Sequence, residues 1–229
     1  MLDAFITKNV RRVLGTSKEH TSDKNEDAIT SMVFTPLRFM APGEALKCLR
    51  AVVPSIAEVA LARGSPIDQN VTLWPPGLKA RGWGGPGQTR VEPDLVAEFT
   101  FPTSGSRTAK LVIVGEMKWD WDIDAVRLRK ELNRERNALK ASGTTLFVFA
   151  VVKRQRSTPQ ELGCDDVLTW VDCHRNLEGF LRREAGDEAS LRWARLVVRF
   201  LTLAERSTFT GFKNDYGVRG YEGPIFYQG

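Results

Sequence analysis

The chain has 229 residues, of which 42% are apolar and 27% charged, a composition typical of a water-soluble globular protein. No run of about 18 apolar residues occurs, which excludes a membrane-spanning helix. Three cysteines without a CxxC spacing and only two histidines argue against a Cys/His zinc site. Together with the lack of an apolar leader, this cysteine usage favours the cytoplasm. The net charge of +5 is compatible with a polyanionic partner but identifies none.

Helices dominate the predicted N-terminal part of the chain. Apolar residues at helical spacing predict helices over residues 3–14, 23–40 and 42–63. Pro36 is expected to end or kink the second of these helices, and Pro54 to interrupt the third. The reason is that proline lacks the amide hydrogen that a helix interior requires.

A loop rich in proline, glycine and tryptophan is predicted over residues 74–90. Its GWGGPG string satisfies the GxGxxG pattern, but it does not join a strand to a helix, so we reject a dinucleotide site. A plain surface loop is the simpler interpretation. The alternative is a loop that contacts nucleic acid through basic and aromatic side chains, including Lys79 and Arg81.

The central part of the sequence predicts a β-hairpin followed by a helix and a third strand. Apolar and polar residues alternate over 91–101, which indicates a strand with one apolar face. Turn residues lead to a second strand over 110–119. A polar, basic helix is predicted over 123–142, and the continuous apolar run at 144–152 indicates a strand covered on both faces.

The last predicted elements complete a single α/β domain over residues 1–206. Thr158 is expected to cap a short helix, a short strand is predicted over 166–171, and residues 187–206 have the pattern of an amphipathic helix. Residues 207–229 contain all three tyrosines and five glycines. We expect an aromatic, glycine-rich extension there that packs across the domain or contacts DNA or a partner. The expected fold is a mixed central sheet flanked by helices.

The predicted hairpin brings acidic residues together at one end. If its turn centres on Gly105, antiparallel pairing places Asp94 opposite Glu116 and Glu92 opposite Lys118. Side chains that face each other in this way have Cβ atoms about 5 Å apart. Two carboxylates at that separation repel each other, and a divalent cation between them removes the repulsion. Because Mg²⁺ prefers oxygen ligands, the hairpin predicts a magnesium site.

The same residues resemble a known enzyme family. Pro93-Asp94, followed after 21 intervening residues by Glu116-Met117-Lys118, resembles the motif of the PD-(D/E)XK nuclease superfamily. The order of helix, strand, strand, helix and strand around the motif is similar to the restriction-endonuclease-like core of that family. The resemblance covers about residues 20–152.

The resemblance implies a role for each site residue. Asp94, Glu116 and the backbone carbonyl of Met117 would bind Mg²⁺, for which Mn²⁺ can substitute. Lys118 would orient or activate the attacking water and stabilise negative charge on the phosphate. Glu26 would complete the acidic cluster, directly or through water. A capping box at the start of its helix is the alternative explanation for Glu26.

The activity that the resemblance implies is Mg²⁺-dependent hydrolysis of phosphodiester bonds in DNA, with restriction or anti-phage defence as its role. Basic residues would contact the DNA backbone: Arg127, Lys130 and Arg134 on the helix, and Lys79 and Arg81 on the loop. A partner protein subunit or a homodimer is left open. One alternative is a non-enzymatic DNA- or protein-binding subunit built on the same fold. Another is an unrelated α/β enzyme, which a hairpin with Asp94 and Glu116 on opposite faces would favour.

Overall fold

A computed structural model of the chain describes residues 21–60, 63–81, 88–103, 107–119, 124–186 and 188–206. Three predicted features lie outside the described residues: the helix over 3–14, the centre of the loop at 82–87, and the extension over 207–229. These three predictions stay untested.

Proline residues divide the N-terminal helical part as the sequence predicts. Helix α1 ends at Phe34, and Pro36 lies in the first turn of the 3-10 helix that follows. Pro54 lies in the break between the next two helices. The bounds are α1 (Thr21–Phe34), the 3-10 helix (Thr35–Phe39), α2 (Pro42–Val52) and α3 (Ile56–Ala60).

A five-stranded mixed sheet forms the centre of the molecule. In chain order, the strands are β1 (Asp68–Leu73), β2 (Lys79–Arg81), β3 (Gln88–Arg90), β4 (Leu95–Pro102), β5 (Thr108–Met117), β6 (Thr144–Val152) and β7 (Asp166–Thr169). The sheet order is β1-β4-β5-β6-β7, while β2 and β3 form a separate two-stranded ribbon. β1, β4 and β5 pair antiparallel, and β5, β6 and β7 pair parallel. The expectation of an α/β fold with a mixed sheet is therefore confirmed.

The remaining helices follow the strands of the sheet. They are α4 (Ala125–Leu139), α5 (Pro159–Leu162), α6 (Trp170–Arg183) and α7 (Ala189–Arg206). Thr158 caps α5 in a capping box with Glu161, as predicted. Among the described residues, every helix is too short or too polar to cross a bilayer.

The structure corrects the sequence analysis at two elements. The strand predicted over 166–171 ends at Thr169, whose hydroxyl caps helix α6 through a capping box with Asp172. The ribbon of β2 and β3 lies within the segment that was predicted to be a loop.

Both faces of the β4–β5 hairpin are covered, whereas the alternation of β4 predicted one apolar face. Odd-numbered residues such as Phe99 pack into the main core with α1, α2, α6 and α7. Even-numbered residues such as Val96 and Val114 pack against Leu128 and Leu132 of α4. The molecule is therefore layered, with helices on each side of the sheet.

Candidate active site

The register of the β4–β5 hairpin is the one that the sequence predicts. Leu95 pairs with Gly115, and the pairing runs in step to Pro102 and Thr108. One position beyond Leu95, the same register brings Asp94 beside Glu116, on the sheet face that α4 covers. Asp94 and Glu116 therefore do not lie on opposite faces of the hairpin, which is the arrangement that would have favoured an unrelated α/β enzyme.

Asp94 is held in a fixed orientation by two hydrogen bonds. The side chain is 5% exposed, and it lies immediately before β4 begins. The indole Nε1 of Trp74 donates to Oδ1 at 2.9 Å, and the backbone N–H of Met117 donates to Oδ2 at 2.8 Å. Because each carboxylate oxygen can accept a second bond, both oxygens of Asp94 keep the capacity to bind a cation.

Lys118 joins carboxylates from three elements of the fold. Its Nζ hydrogen-bonds to Oε1 of Glu116 at the end of β5. It also lies 3.6 Å from Oε1 of Glu26 on α1 and 3.9 Å from Oε2 of Glu131 on α4. The structure thus brings Glu26 of α1 and Glu131 of α4 to Glu116 and Lys118 at the end of β5.

Glu26 does not form the capping box that was its alternative explanation. Helix α1 begins at Thr21, so Asp23 lies inside the helix instead of capping it. The Oε2 atom of Glu26 instead accepts a hydrogen bond from the backbone N–H of Trp119 at 2.9 Å. Glu92, which was predicted opposite Lys118, forms an ion pair with Arg90 at 3.0 Å.

Two site acids on α4, Glu131 and Glu135, were missed by the sequence analysis. Glu135 is only 3% exposed, and its carboxyl group contacts that of Glu116. The sequence indicated only a polar, basic helix whose arginine and lysine side chains contact phosphate. The signal was present, because Glu131 is three positions after the buried Leu128 and Glu135 is three positions after the buried Leu132, which places both acids on the buried side of the helix.

The acids carry more negative charge than Lys118 alone can balance. Burial, and next the neighbouring charge of Asp94, raise the pKa of Glu116 to about 7. Burial likewise raises the pKa of Glu26 to about 7, although Lys118 opposes the shift. Burial and contact with Glu116 raise the pKa of Glu135 well above its ordinary value. A cation or additional protons would relieve this repulsion.

Lys118 stays protonated in this environment. Burial acts to lower its pKa, but the negative charges of Glu116, Asp94 and Glu26 outweigh burial, so the pKa of Lys118 is raised. The side chain therefore presents an ammonium group, with hydrogen-bond donors and no acceptor.

The donor set fits a hard divalent cation. One carboxylate oxygen on each of Glu116, Glu131 and Glu135 is buried without a hydrogen-bond donor. Such orphaned acceptors are costly, and carboxylate oxygens are what Mg²⁺ and Mn²⁺ prefer. Within the described ranges, no three His, Cys, Asp or Glu side chains are already grouped to hold a metal ion. An ion bound here would therefore retain water or substrate oxygens in its coordination shell, as Mg²⁺ commonly does.

A basic surface adjoins the acidic cluster. Arg127 is 64% exposed, and its Nε lies 3.1 Å from Oε1 of Glu131, which links it to Lys118 through one carboxylate. This contact connects Arg127, one of the three basic residues predicted on the helix to bind DNA, to the acidic cluster. β2 packs against α4, so the strand that carries Lys79 and Arg81 lies beside this helix. Lys130 is exposed and Arg134 is half-buried.

Comparisons with known proteins were made at three levels: family models, curated proteins and solved structures. No family model, no curated protein and no solved structure matches the chain. The resemblance of residues 93–94 and 116–118 to a nuclease motif stays a prediction, and the geometry of the site is what supports a function.

Proposed function

We propose that the protein is a Mg²⁺-dependent nuclease of the PD-(D/E)XK type that hydrolyses phosphodiester bonds in DNA. The observation that carries the proposal is the placement of Asp94, Glu116 and Lys118 at one end of the β4–β5 hairpin, with Glu26 of α1 beside them. A strand hairpin, a preceding helix and a following crossover helix around these residues support a restriction-endonuclease-like core. We propose restriction or anti-phage defence as its role, because compact nucleases of this superfamily commonly serve in those processes.

The residues would divide the chemistry of hydrolysis among them. Asp94 and Glu116 would hold the divalent ion, with the Met117 carbonyl as a further ligand and Glu26 acting directly or through water. When bound, such an ion polarises a phosphoryl oxygen and makes its water more acidic. Because Lys118 stays protonated, we assign it to orient water and stabilise the charge that develops on the phosphate, and not to act as a general base.

The DNA would lie over α4 and the adjoining ribbon. Arg127 is exposed and linked to the acidic cluster through Glu131, so it would position a backbone phosphate near the ion. Lys130 and Arg134 on the helix, with Lys79 and Arg81 on the ribbon, would add phosphate contacts. Such contacts supply affinity that does not depend on base sequence.

Cleavage of plasmid DNA by the purified chain tests this proposal. We expect the wild-type protein to nick or cut plasmid in Mg²⁺ and to be inactive in EDTA. Asp94→Asn should abolish detectable cleavage, and Lys118→Ala should lower the rate by about 100- to 1,000-fold.

Lys47→Ala is the matched control for the lysine substitution. Lys47 also bridges two carboxylates, those of Glu184 and Glu188, but these partners are 43% and 53% exposed and are not among the site acids. Cleavage by this variant should equal that of the wild type. Cleavage that survives both Asp94→Asn and Lys118→Ala would contradict the assignment of the site.

A second candidate function is a non-enzymatic DNA- or protein-binding subunit built on the same fold. It is favoured by the exposed basic residues Arg127 and Lys130 on α4, which would hold a duplex whether or not the acids bind a metal ion. Fluorescence anisotropy with labelled duplex DNA separates the two functions. A binding subunit would hold the duplex equally well in EDTA and Mg²⁺ and would leave it intact on prolonged incubation.

A further inference from the structure

Trp74 has an unusual backbone conformation for its residue type. Its φ is 46°, and it is the only residue other than glycine with a positive φ among those the structure describes. Large side chains seldom adopt this conformation, which costs free energy and is often found at functional sites. The indole ring is also completely buried, so the residue is tightly packed as well as strained.

Two hydrogen bonds of Trp74 are made to one residue, Asp94. Its backbone N–H donates to the main-chain carbonyl of Asp94 at 3.3 Å, and its indole Nε1 donates to Oδ1 at 2.9 Å. Leu73 pairs with Leu95 at the ends of β1 and β4, so Trp74 and Asp94 are the next residues beyond the sheet. Together they close the base of the segment that contains the β2–β3 ribbon.

The two donors on Asp94 fix its carboxylate from both sides. Trp74 holds Oδ1, while the backbone N–H of Met117, itself part of β5, holds Oδ2. A carboxylate that is hydrogen-bonded in this way cannot rotate away from the neighbouring Glu116 without losing a buried hydrogen bond. Ligands oriented beforehand bind a metal more tightly, and their hydrogen-bond partners contribute to that affinity.

We propose that Trp74 is a positioning residue that orients Asp94 for binding a divalent cation. The inference rests on the proposed function, in which Asp94 is a metal ligand. The left-handed conformation allows both the backbone N–H and the indole N–H of Trp74 to donate to Asp94. Trp74 also begins the segment that contains the ribbon and precedes Lys79 by five residues.

The substitution Trp74→Phe removes the indole N–H and keeps an aromatic ring. We expect the Mn²⁺ affinity of the full chain, measured by titration calorimetry, to fall by about tenfold. In plasmid cleavage, kcat should fall while KM for DNA is unchanged, because the phosphate contacts are intact.

Trp193→Phe is the matched control. The indole of Trp193 is 4% exposed and donates to the carbonyl of Val33 at 2.8 Å, so this variant also loses one buried hydrogen bond. Both variants should lose thermal stability, but only Trp74→Phe should lose Mn²⁺ affinity. Equal Mn²⁺ affinity in the two variants would overturn the inference.

A measurement on the wild-type protein covers the case in which Trp74→Phe does not fold. In ¹H–¹⁵N correlation spectra, the indole N–H of Trp74 should shift on titration with Mg²⁺, because its acceptor also binds the ion. The indole N–H of Trp193 should not shift. A Trp74 signal that stays in place while Mg²⁺ binds overturns the inference.

The failure of the inference is distinguishable from failure of the proposed function. A wild-type protein that neither binds Mn²⁺ nor cleaves DNA contradicts the proposed function, and the inference falls with it. A wild-type protein that binds Mn²⁺ and cleaves DNA, with Trp74→Phe equally active, contradicts the positioning role alone.

Discussion

Glu116 and Glu135 place two carboxyl groups in contact inside the protein, which is costly for their ionised forms. Each has a buried oxygen without a hydrogen-bond donor, and Lys118 hydrogen-bonds to the other carboxylate oxygen of Glu116. At the scale of single residues, this pair is the best indication that the site takes up a cation or a proton. Stability cannot be the reason for the pair, since an apolar residue at position 135 would remove the repulsion.

The contact predicts how stability depends on pH in the absence of metal ions. The pKa of Glu116 is raised from 4.5 to about 7 in the folded protein, and that of Glu135 is raised as well. Between pH 4.5 and about pH 7, the native state therefore binds more protons than the unfolded chain. This contribution to stability is complete below the ordinary pKa and is lost as the pH rises through about 7.

Glu135→Gln should reduce the loss of stability that the wild-type protein shows as the pH rises. At pH 8 in EDTA, we expect the variant to be more stable than the wild type by about 1–3 kcal/mol, because an amide can donate to Glu116. At pH 4.5 the difference should be small. Urea unfolding at both pH values measures it, and the exposed Glu58→Gln serves as the control. A wild-type protein as stable at pH 8 as at pH 5 would contradict the account.

Among the helices and strands, α4 has two functions. It brings acidic residues to the site, and it presents basic residues to solvent. One face carries Leu128 and Leu132 against the sheet and brings Glu131 and Glu135 to the site. The other carries exposed basic residues. The sequence pattern showed only that the helix carries charges of both signs, because the sequence does not distinguish a buried glutamate from an exposed one. Glu135 is buried against Glu116, which belongs to strand β5.

Arg127 tests whether this helix holds nucleic acid. Arg127→Ala should weaken binding of duplex DNA and lower the slope of log Kd against log salt by about 1, since it removes one phosphate contact. Arg175→Ala is the matched control, because Arg175 is 68% exposed and pairs with a carboxylate on its own helix at 3.1 Å. Anisotropy titrations at several salt concentrations measure both. Equal slopes for the two variants would contradict the proposed interface.

Short elements were the part of the fold that the sequence could not predict. The hairpin register followed from period-two alternation and a central glycine, and β6 was predicted with its observed bounds. The ribbon was missed because strands of three residues carry too little pattern to recognise. Helix α6 was missed because Trp170 and Val171 favour a strand, whereas the Thr169 capping box starts a helix.

At the scale of the whole molecule, the topology of the sheet explains where the site forms. β5, β6 and β7 are parallel, and Glu116 and Lys118 lie at the carboxyl end of β5. In open α/β sheets, ligands bind outside the carboxyl ends of the parallel strands. The antiparallel β4 begins at the same edge, so Asp94 meets them there, and α1 adds Glu26 from the other layer.

The sequence predicted some of the acids that meet, but neither the acids on α4 nor the group that orients Asp94. Asp94, Glu116 and Lys118 follow from the motif and the hairpin, and Glu26 from its place on the preceding helix. Trp74, Glu131 and Glu135 act through contacts between elements far apart in the chain. Such contacts depend on packing, and a single sequence does not encode packing in a local pattern.

The position of a bound ion tests the central claim most directly. Crystals of the wild-type chain soaked in Mn²⁺ should give an anomalous peak within about 2.5 Å of carboxylate oxygens of both Asp94 and Glu116. The peak should be absent from crystals of Asp94→Asn soaked in the same way. Wild-type crystals with no peak between these two carboxylates, even with DNA bound, would contradict the account.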